Sequence, residues 1–404
     1  MTPHAKYLTL CTLLMWSAIQ FLASADVPST EEIVKYCNST FNNRRGICIS
    51  FEKKLKNCHP LLKLLRERKF AELQQTFCDE PEQGDSFELS WVCCPEDELV
   101  DISHEDFGSH PNFNLLPHPE NSVCGQSGNS DRIVGGEDAG AGDFPWMARL
   151  AVKRDDEDTE EFVCGGSIIN ERYVLGAAHC FKDNVKLTKI RVGDTHDDVE
   201  KECIEYGDST ICEMEEDYGV EDIIIHRDYS GITGSQHDIA LIRLNRDIRN
   251  ISSLFVRPIC LPFTKEFNIP PLQITTPGQT GSNVQAIVAG WGKLYNSDSI
   301  GSPDLQFLSV PVTDTVQCGK SFKANNVTVT ELQVCAGGEK GKGSCAGDSG
   351  SPLFYPAKTK GKATIRNFQI GIVSFGKHQC AAGNAPVVYT RVKRYLTWIL
   401  DHIK

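Results

Sequence analysis

Three residues whose side chains could carry out acyl transfer lie far apart in the chain: His179 in GAAHC, Asp238 in HDIALIRL and Ser349 in GDSGSPL. Acyl transfer at neutral pH needs a nucleophile, a base that takes its proton, a group that orients the base, and donors for the oxyanion. Ser349 is the predicted nucleophile and His179 the predicted general base. Asp238 would fix the tautomer of the imidazole.

The glycines around Ser349 indicate a tight turn, because glycine adopts backbone conformations that other residues avoid. Such a turn exposes the hydroxyl and aims the backbone N–H groups of Gly347 and Ser349, the predicted oxyanion donors, at one point. Each motif alone is weak, since a His beside a Cys is often structural and GDSG occurs in ordinary turns. The occurrence of AAHC, DIAL and GDSGSPL in this order, with RIVGG ahead of them, favours a catalytic site.

The elements that would position these residues are β-strands. After Arg132 the chain consists of short apolar or alternating runs separated by Gly, Asp and Asn turns, among them PWMARLAV, DIALIRL, VQAIVAGWG and FQIGIVSFG. Many strands of this kind predict an all-β barrel or sandwich. The last residues, TRVKRYLTWILDHI, place Val392, Tyr395, Leu396 and Ile399 on one helical face and predict a C-terminal helix.

Length and charge set broad limits. A chain of 404 residues is long enough for two domains, and a formal net charge of -13 argues against a nucleic-acid partner. The first 25 residues have a basic start, an apolar run and the small residues Ala23-Ser24-Ala25, which predicts a signal peptide at 1–25. The apolar run is short for a membrane anchor, and no later stretch is apolar enough to span a bilayer. We expect a secreted, extracellular protein.

The cysteines predict disulfides and a second, small domain. Of 17 cysteines, Cys11 lies in the predicted signal peptide, which leaves an even number in an oxidising compartment. Six of them crowd residues 37–94, a segment with too few apolar residues for its own core, so bridges would stabilise it around one helix. Residues 95–132 read as a linker with the activation segment. Three glycosylation sequons are present, at Asn38, Asn250 and Asn326.

Residues 133–404 resemble the chymotrypsin-fold serine proteases, in which two six-stranded barrels hold the triad in the cleft between them. The cysteine cluster at 37–94 resembles the clip domain of arthropod clip-domain serine proteases. The resemblance implies a secreted serine endopeptidase of an innate-immune cascade in haemolymph, acting in prophenoloxidase activation and melanisation or in Toll signalling. A catalytically silent binding cofactor and a digestive enzyme are the alternative readings; the complete triad disfavours the first and the clip module the second.

The resemblance also implies a full set of disulfides. The pairs are Cys37–Cys93, Cys48–Cys78, Cys58–Cys94, Cys124–Cys260, Cys164–Cys180, Cys203–Cys212, Cys318–Cys335 and Cys345–Cys380.

The motif SDRIVGG resembles the activation site of the family. Cleavage after Arg132 would free the amine of Ile133, which would pair with the carboxylate of Asp348 and order the oxyanion turn. The uncut chain is therefore expected to be an inactive zymogen, and Cys124 would keep the clip module attached after the cut.

The specificity pocket differs from that of trypsin-like members. In the family, the residue six before the nucleophile lines the pocket floor, where an Asp selects Arg or Lys. Gly343 stands there, followed by Ser344, and the walls would include Ser374, Gly376 and Val387. A desolvated slot without a counter-charge disfavours a cationic side chain. We expect cleavage after small or medium apolar residues, with trypsin-like specificity as the alternative.

This pocket and the family suggest partners. An enzyme that does not cut after Arg would need an upstream trypsin-like protease to cleave at Arg132, and a serpin is the expected inhibitor. No cofactor is needed for the chemistry. The acidic loop between Asp194 and Glu216 resembles the calcium loop of some members, so these two residues are predicted ligands of a structural calcium ion.

Overall fold

The computed structural model describes residues 35–39, 44–50, 91–95, 107–120, 122–127 and 137–404, with gaps in the last range at 155–158, 182–184, 198, 200, 207, 232–235, 264–283, 295–297, 299, 314, 324–326, 340–343, 359–363 and 377–384. The chain divides into two compact units, Met1–Asp106 and Phe107–Lys404. Several predicted features lie outside the described residues: the signal peptide, the helix of the clip module, Arg132, Ile133, Asn326, Gly343 and Cys380.

In the first unit, the described residues form one antiparallel sheet. Its strands are β1 (Lys35–Ser39), β2 (Arg44–Ser50) and β3 (Trp91–Pro95), with β2 in the centre. The register sets Cys48 opposite Cys93. The three clip-domain disulfides and the bounds 37–94 remain predictions, because the cysteine side chains of this unit lie outside the described residues.

The second unit contains two antiparallel sheets. The first has the order β11-β8-β5-β6-β7-β13-β12. Its strands are β5 (Met147–Arg154), β6 (Glu160–Ile168), β7 (Tyr173–Gly176), β8 (Val185–Val192), β11 (Glu216–Tyr218), β12 (Val220–Ile225) and β13 (Ala240–Leu244). A separate hairpin of β9 (Glu202–Tyr206) and β10 (Ser209–Glu213) extends from this half.

The second sheet closes on itself. The order is β14-β17-β18-β19-β16-β15-β4, and a further pairing of β14 with β15 completes a ring of six strands to which the short β4 is added. The strands are β4 (Glu137–Asp138), β14 (Gln285–Gly290), β15 (Gln306–Thr313), β16 (Gln333–Ala336), β17 (Pro352–Lys358), β18 (Ile365–Phe375) and β19 (Val387–Arg391).

The predicted fold class, an all-β unit of two barrels with a C-terminal helix, is confirmed. Among the described residues the α-helices are α1 (Thr315–Phe322) and α2 (Leu396–His402), and 3₁₀ turns lie at Phe107–Ser109, Phe113–Leu115, Ala178–Phe181 and Val392–Tyr395. The first sheet carries seven strands rather than six because the three-residue β11 pairs with the edge of β8. No helix among the described residues is long and apolar enough to cross a membrane.

Spaced apolar residues place one face of β8 in a core, with one irregularity where its pairing with β5 shifts register. In β8, Leu187, Ile190 and Val192 are buried while their neighbours are less so. The first barrel shares its core with the inner wall of the second, and the rings of Trp146 and Phe354 meet edge to face with centroids 5.2 Å apart. This shared core fixes the two barrels against each other and thereby positions the cleft between them.

Residues 107–127, the second half of the predicted linker, belong to the second unit. The Nδ2 of Asn112 donates to the carbonyls of Leu400 and Ile403 at 3.0 and 2.9 Å, and the ring of Phe113 packs edge-on against Phe263. Cys124 is bonded to Cys260. We call residues 107–127 the strap. The residues that attach the strap are isolated aromatic and polar side chains without helix or strand periodicity. The sequence pattern therefore predicted a linker here.

Candidate active site

The base and its orienting group come from neighbouring strands of the first barrel. His179 lies in the 3₁₀ turn after β7, and Asp238 lies just before β13, the strand that pairs with β7. The Nδ1 of His179 is 2.8 Å from Oδ2 of Asp238, and the backbone N–H of His179 donates to Oδ1 at 2.9 Å. The carboxylate therefore holds both the ring and the backbone of the predicted base.

The second barrel completes the surroundings of Asp238. The hydroxyl of Ser374 on β18 donates to Oδ2 of Asp238 at 2.5 Å, and the hydroxyl of Thr390 on β19 donates to its carbonyl at 2.7 Å. Burial acts to raise the pKa of Asp238, but the hydrogen bonds from His179 and Ser374 outweigh it and the pKa is lowered. Asp238 is 3% exposed and stays ionised, as a group that stabilises an imidazolium must.

The turn that carries Ser349 packs directly against the segment that carries His179. The backbone N–H of Gly165 on β6 donates to the carbonyl of Ser349 at 2.8 Å. A Cβ on Gly350, whose φ is +80°, would stand only 3.2 Å from the backbone nitrogen of Ala177 and 3.5 Å from Sγ of Cys180. Glycine is therefore required here for the nucleophile and the base to approach each other.

Asp348, directly before the predicted nucleophile, is partly buried and is held by backbone donors. Its Oδ1 accepts the N–H of Gly292 at 2.8 Å and its Oδ2 accepts the N–H of Cys345 at 2.7 Å. Burial of the carboxyl group raises its pKa to about 6 in spite of these two bonds. Gly347, the other predicted oxyanion donor, has a φ of +102°, a conformation that glycine adopts at little cost.

The residues predicted to line the specificity pocket are uncharged where the structure describes them. The hydroxyl of Ser344 lies 3.2 Å from that of Tyr389, which is fully buried. A Cβ on Gly376 would stand 3.5 Å from Cγ2 of Val387, so these two predicted wall residues are neighbours. The role of Gly343 at the floor remains a prediction, because the residue lies outside the described part of the chain.

The disulfides tie the site together. Four bonds join pairs of described residues in the second unit, and each is a pair expected there: Cys124–Cys260, Cys164–Cys180, Cys203–Cys212 and Cys318–Cys335. Cys345 is also disulfide-bonded, while its expected partner Cys380 is not among the described residues. The bond between Cys164 and Cys180 fixes the His179 turn to β6, the strand that also contacts Ser349.

The arrangement can perform acyl transfer. The imidazole of His179 is oriented by an ionised, buried carboxylate, and the glycine turn that carries Ser349 packs against β6, to which the His179 turn is disulfide-bonded. Residues 133–399 match the family model described as Trypsin. The chain belongs to the trypsin family.

Relatives narrow the family further. Phenoloxidase-activating factor 1 of Holotrichia diomphalia is 38% identical over 298 residues, which cover 72% of this chain and 74% of that protein. Melanization protease 1 of Drosophila melanogaster is 31% identical over 438 residues and covers both chains fully. The crystal structure of the Drosophila Grass clip serine protease of the Toll pathway is similar with a TM-score of 0.59 and 29% identity, covering 92% of this chain and 97% of that one. This protease is a clip-domain serine endopeptidase.

The predicted calcium ligands do not fit a calcium site. Asp194 is paired with the guanidinium of Arg149 at 3.0 Å, and the same guanidinium contacts Asp197. Glu216 accepts the hydroxyl of Tyr218 at 2.6 Å and contacts Arg246. Among the described residues, neither of the two clusters that bring potential ligand atoms within 4.8 Å of one another includes Asp194 or Glu216. Calcium ligation by these two residues remains a prediction, and the arginine side chains that pair with both carboxylates argue against it.

Sequence reasoning missed the residues that support the triad from the second barrel. Ser374 was expected only as a pocket wall, and neither Tyr389 nor Thr390 was singled out. A signal was present in VVYTRV, where two hydroxyl-bearing residues interrupt an apolar strand. Buried polar groups need partners, so these positions indicated a polar neighbour without identifying it.

The predicted glycosylation sites remain predictions. Asn250 is exposed, while only the backbone of Asn38, on β1, is described.

Proposed function

We propose that this protease is the secreted zymogen of an extracellular proteolytic cascade and becomes active when the bond after Arg132 is cut. The observation that carries the proposal is the carboxyl group of Asp348. It is desolvated, its pKa is raised to about 6, and it contacts no cation among the described residues. A buried carboxylate is stable when a positive charge pairs with it. The amine of Ile133, freed by the cut, would supply that charge.

The names of the relatives support the kind of cascade. They refer to phenoloxidase activation, melanisation and the Toll pathway. In our proposal this chain takes part in an immune cascade of that kind, in haemolymph. The predicted signal peptide at 1–25 and the disulfides of the second unit agree with export to an oxidising compartment. A serpin is the proposed inhibitor.

We propose cleavage after small or medium apolar residues. Val387 shortens the pocket against Gly376, and the hydroxyls of Ser344 and Tyr389 contact each other, so the described walls offer no negative charge to a bound Arg or Lys. A pocket of this kind would not accept the side chain of Arg132. Activation would therefore require a separate, trypsin-like protease acting upstream.

The test is to cut the purified zymogen after Arg132 with an immobilised trypsin-like protease, remove that protease, and measure hydrolysis of a peptide library. The library varies the residue before the scissile bond. We expect preference for Ala, Val or Leu. Efficient hydrolysis after Arg would overturn the proposed specificity. It would indicate a trypsin-like relay protease, the alternative that Gly343 and Val387 argue against.

A catalytically silent cofactor is the other alternative, and the intact contacts of His179 and Asp238 count against it. A fluorophosphonate that labels active serines distinguishes the two. We expect labelling of the cut wild-type protein and none of a Ser349→Ala variant. Absence of labelling after complete cleavage at Arg132 would favour the silent cofactor.

A further inference from the structure

A second group of potential ligands lies beside the triad. His226, Asp228 and His237 each offer one ligand atom, and these atoms lie within 4.8 Å of one another. The Nδ1 of His226 is 3.8 Å from Oδ2 of Asp228. This distance is too long for a hydrogen bond. It is close to the separation of two ligands that share one zinc ion with bonds of about 2.0–2.1 Å.

The two imidazoles pack against each other and against aromatic residues of the C-terminal helical segment. The rings of His226 and His237 are stacked with centroids 4.6 Å apart and planes 14° from parallel. The hydroxyl of Tyr395 lies 3.3 Å from Nδ1 of His237, and the ring of Trp398 lies beside His226. Contacts to the second ring nitrogen are what orient metal-binding histidines. Both imidazoles are partly buried while Asp228 is exposed, which leaves a path from solvent.

The chemistry of the three groups selects a class of ion. Two imidazoles and one carboxylate suit zinc and its neighbours in the first transition series. Calcium prefers an all-oxygen shell and fits poorly.

The group is connected to the catalytic residues through the chain. His237 directly precedes Asp238, the residue that orients His179. The φ of His237 is +63°, in the left-handed region that non-glycine residues seldom occupy. A ligand that moves the ring of His237 would therefore also strain or shift the backbone next to Asp238, because a peptide bond joins the two residues.

We propose that His226, Asp228 and His237 bind one divalent transition-metal ion of the zinc class, and that its binding lowers the activity of the protease. Each stacked ring would turn so that one nitrogen faces the ion, and the three ligand atoms would draw together. The ion would compete with the 3.3 Å hydrogen bond from the backbone N–H of Asp228 to Nδ1 of His226, and with the ion pair in which Nε of Arg227 lies 3.6 Å from Oδ2 of Asp228. The turn of the His237 ring would shift Asp238 and loosen its hold on His179.

The test is calorimetric titration of the uncut full-length chain with Zn²⁺, which does not depend on the proposed activation. We expect one site that weakens by more than about tenfold in His237→Asn and in Asp228→Asn, since even outer-shell changes cost about 10–100-fold. Asn suits position 237 because it tolerates the left-handed conformation. His196→Gln, which changes an imidazole bonded to Glu202 elsewhere, is the matched control and should bind as the wild type does.

The second measurement is peptide hydrolysis by the cut enzyme with and without Zn²⁺. Inhibition that is strong in the wild type and weakened more than about tenfold in His237→Asn supports the coupling to the triad. Zn²⁺ binding that persists unchanged in both ligand variants overturns the site. Inhibition that persists in them overturns the coupling and assigns the effect to Zn²⁺ on His179.

Discussion

The hydroxyl of Ser374 lies 2.5 Å from the same oxygen of Asp238 that contacts Nδ1 of His179 at 2.8 Å. Two donors from different barrels therefore converge on Oδ2 of one carboxylate. Together they keep the pKa of Asp238 low although the residue is buried. The orientation of the catalytic base thus depends on the docking of the second barrel onto the first.

Replacing Ser374 with Ala should lower kcat/KM for a peptide substrate by roughly 10–100-fold. A hydrogen bond to a charged group contributes about 1.5–3 kcal/mol, and its loss also lets the pKa of Asp238 rise. Kinetics normalised by active-site titration measure the effect. Ser309→Ala, on β15 away from the triad, is the control. A kcat/KM within about twofold of the wild type would mean that Ser374 does not position Asp238.

Asp348 should make the uncut chain less stable as the pH rises from about 4 to about 6. Its folded pKa of about 6 lies above the ordinary value of 3.8, so the folded state binds the proton more tightly than the unfolded chain does. The shift of about two units corresponds to roughly 3 kcal/mol. Thermal unfolding of wild type and Asp348→Asn at several pH values measures it. Equal pH slopes for the two proteins would contradict the prediction.

The bond between Cys124 and Cys260 should keep both products of the cut after Arg132 together. We expect one band on a non-reducing gel and two bands after reduction. A double Cys124→Ser, Cys260→Ser variant should give two bands without reduction, whereas Cys203→Ser, Cys212→Ser should not. Two bands from the cut wild type without reduction would show that this bond is not formed in solution.

Replacing Arg149 with Met should destabilise the fold by about 3–5 kcal/mol, because it leaves the buried carboxylate of Asp194 without a partner. The matched control is Arg246→Met, whose ion pair with Glu216 is largely exposed and should contribute less than about 1 kcal/mol. Chemical denaturation measures both. Neither added calcium nor a chelator should change the denaturant midpoint of the wild type. A midpoint that depends on calcium would support the calcium site that the arginine contacts argue against.

Replacing Val387 with Gly should extend the range of accepted residues toward larger ones such as Phe. The valine side chain stands against Gly376, and its removal lengthens the slot. A missing methyl or methylene contact in a pocket changes selectivity by about 10–200-fold. Hydrolysis of matched Ala and Phe substrates by the cut enzymes gives the ratio. An unchanged ratio would place Val387 outside the pocket.

Short motifs predict the triad, because each member lies in a local pattern whose residue types match a chemical role, and the structure brings two of its members, His179 and Asp238, into contact. Alternating apolar residues likewise made the strands of the barrels predictable. The contacts of Asp238 with Ser374 and Thr390 join residues 136 and 152 positions apart, and no local pattern encodes them. The ion pairs of the predicted calcium ligands with arginine could not be predicted for a related reason. Counting carboxylates between Asp194 and Glu216 could not show that Arg149, on another strand, already lies among them.

The strap sets a limit on how this protease can be produced as a fragment. A recombinant chain that begins at Ile133 would lack Cys124 and leave the thiol of Cys260 free to form wrong bonds during oxidative refolding. It would also uncover the ring of Phe263 and remove the amide that Asn112 offers to the end of α2. A fragment intended for crystallisation or inhibitor screening should therefore start before Phe107 and be cut afterwards.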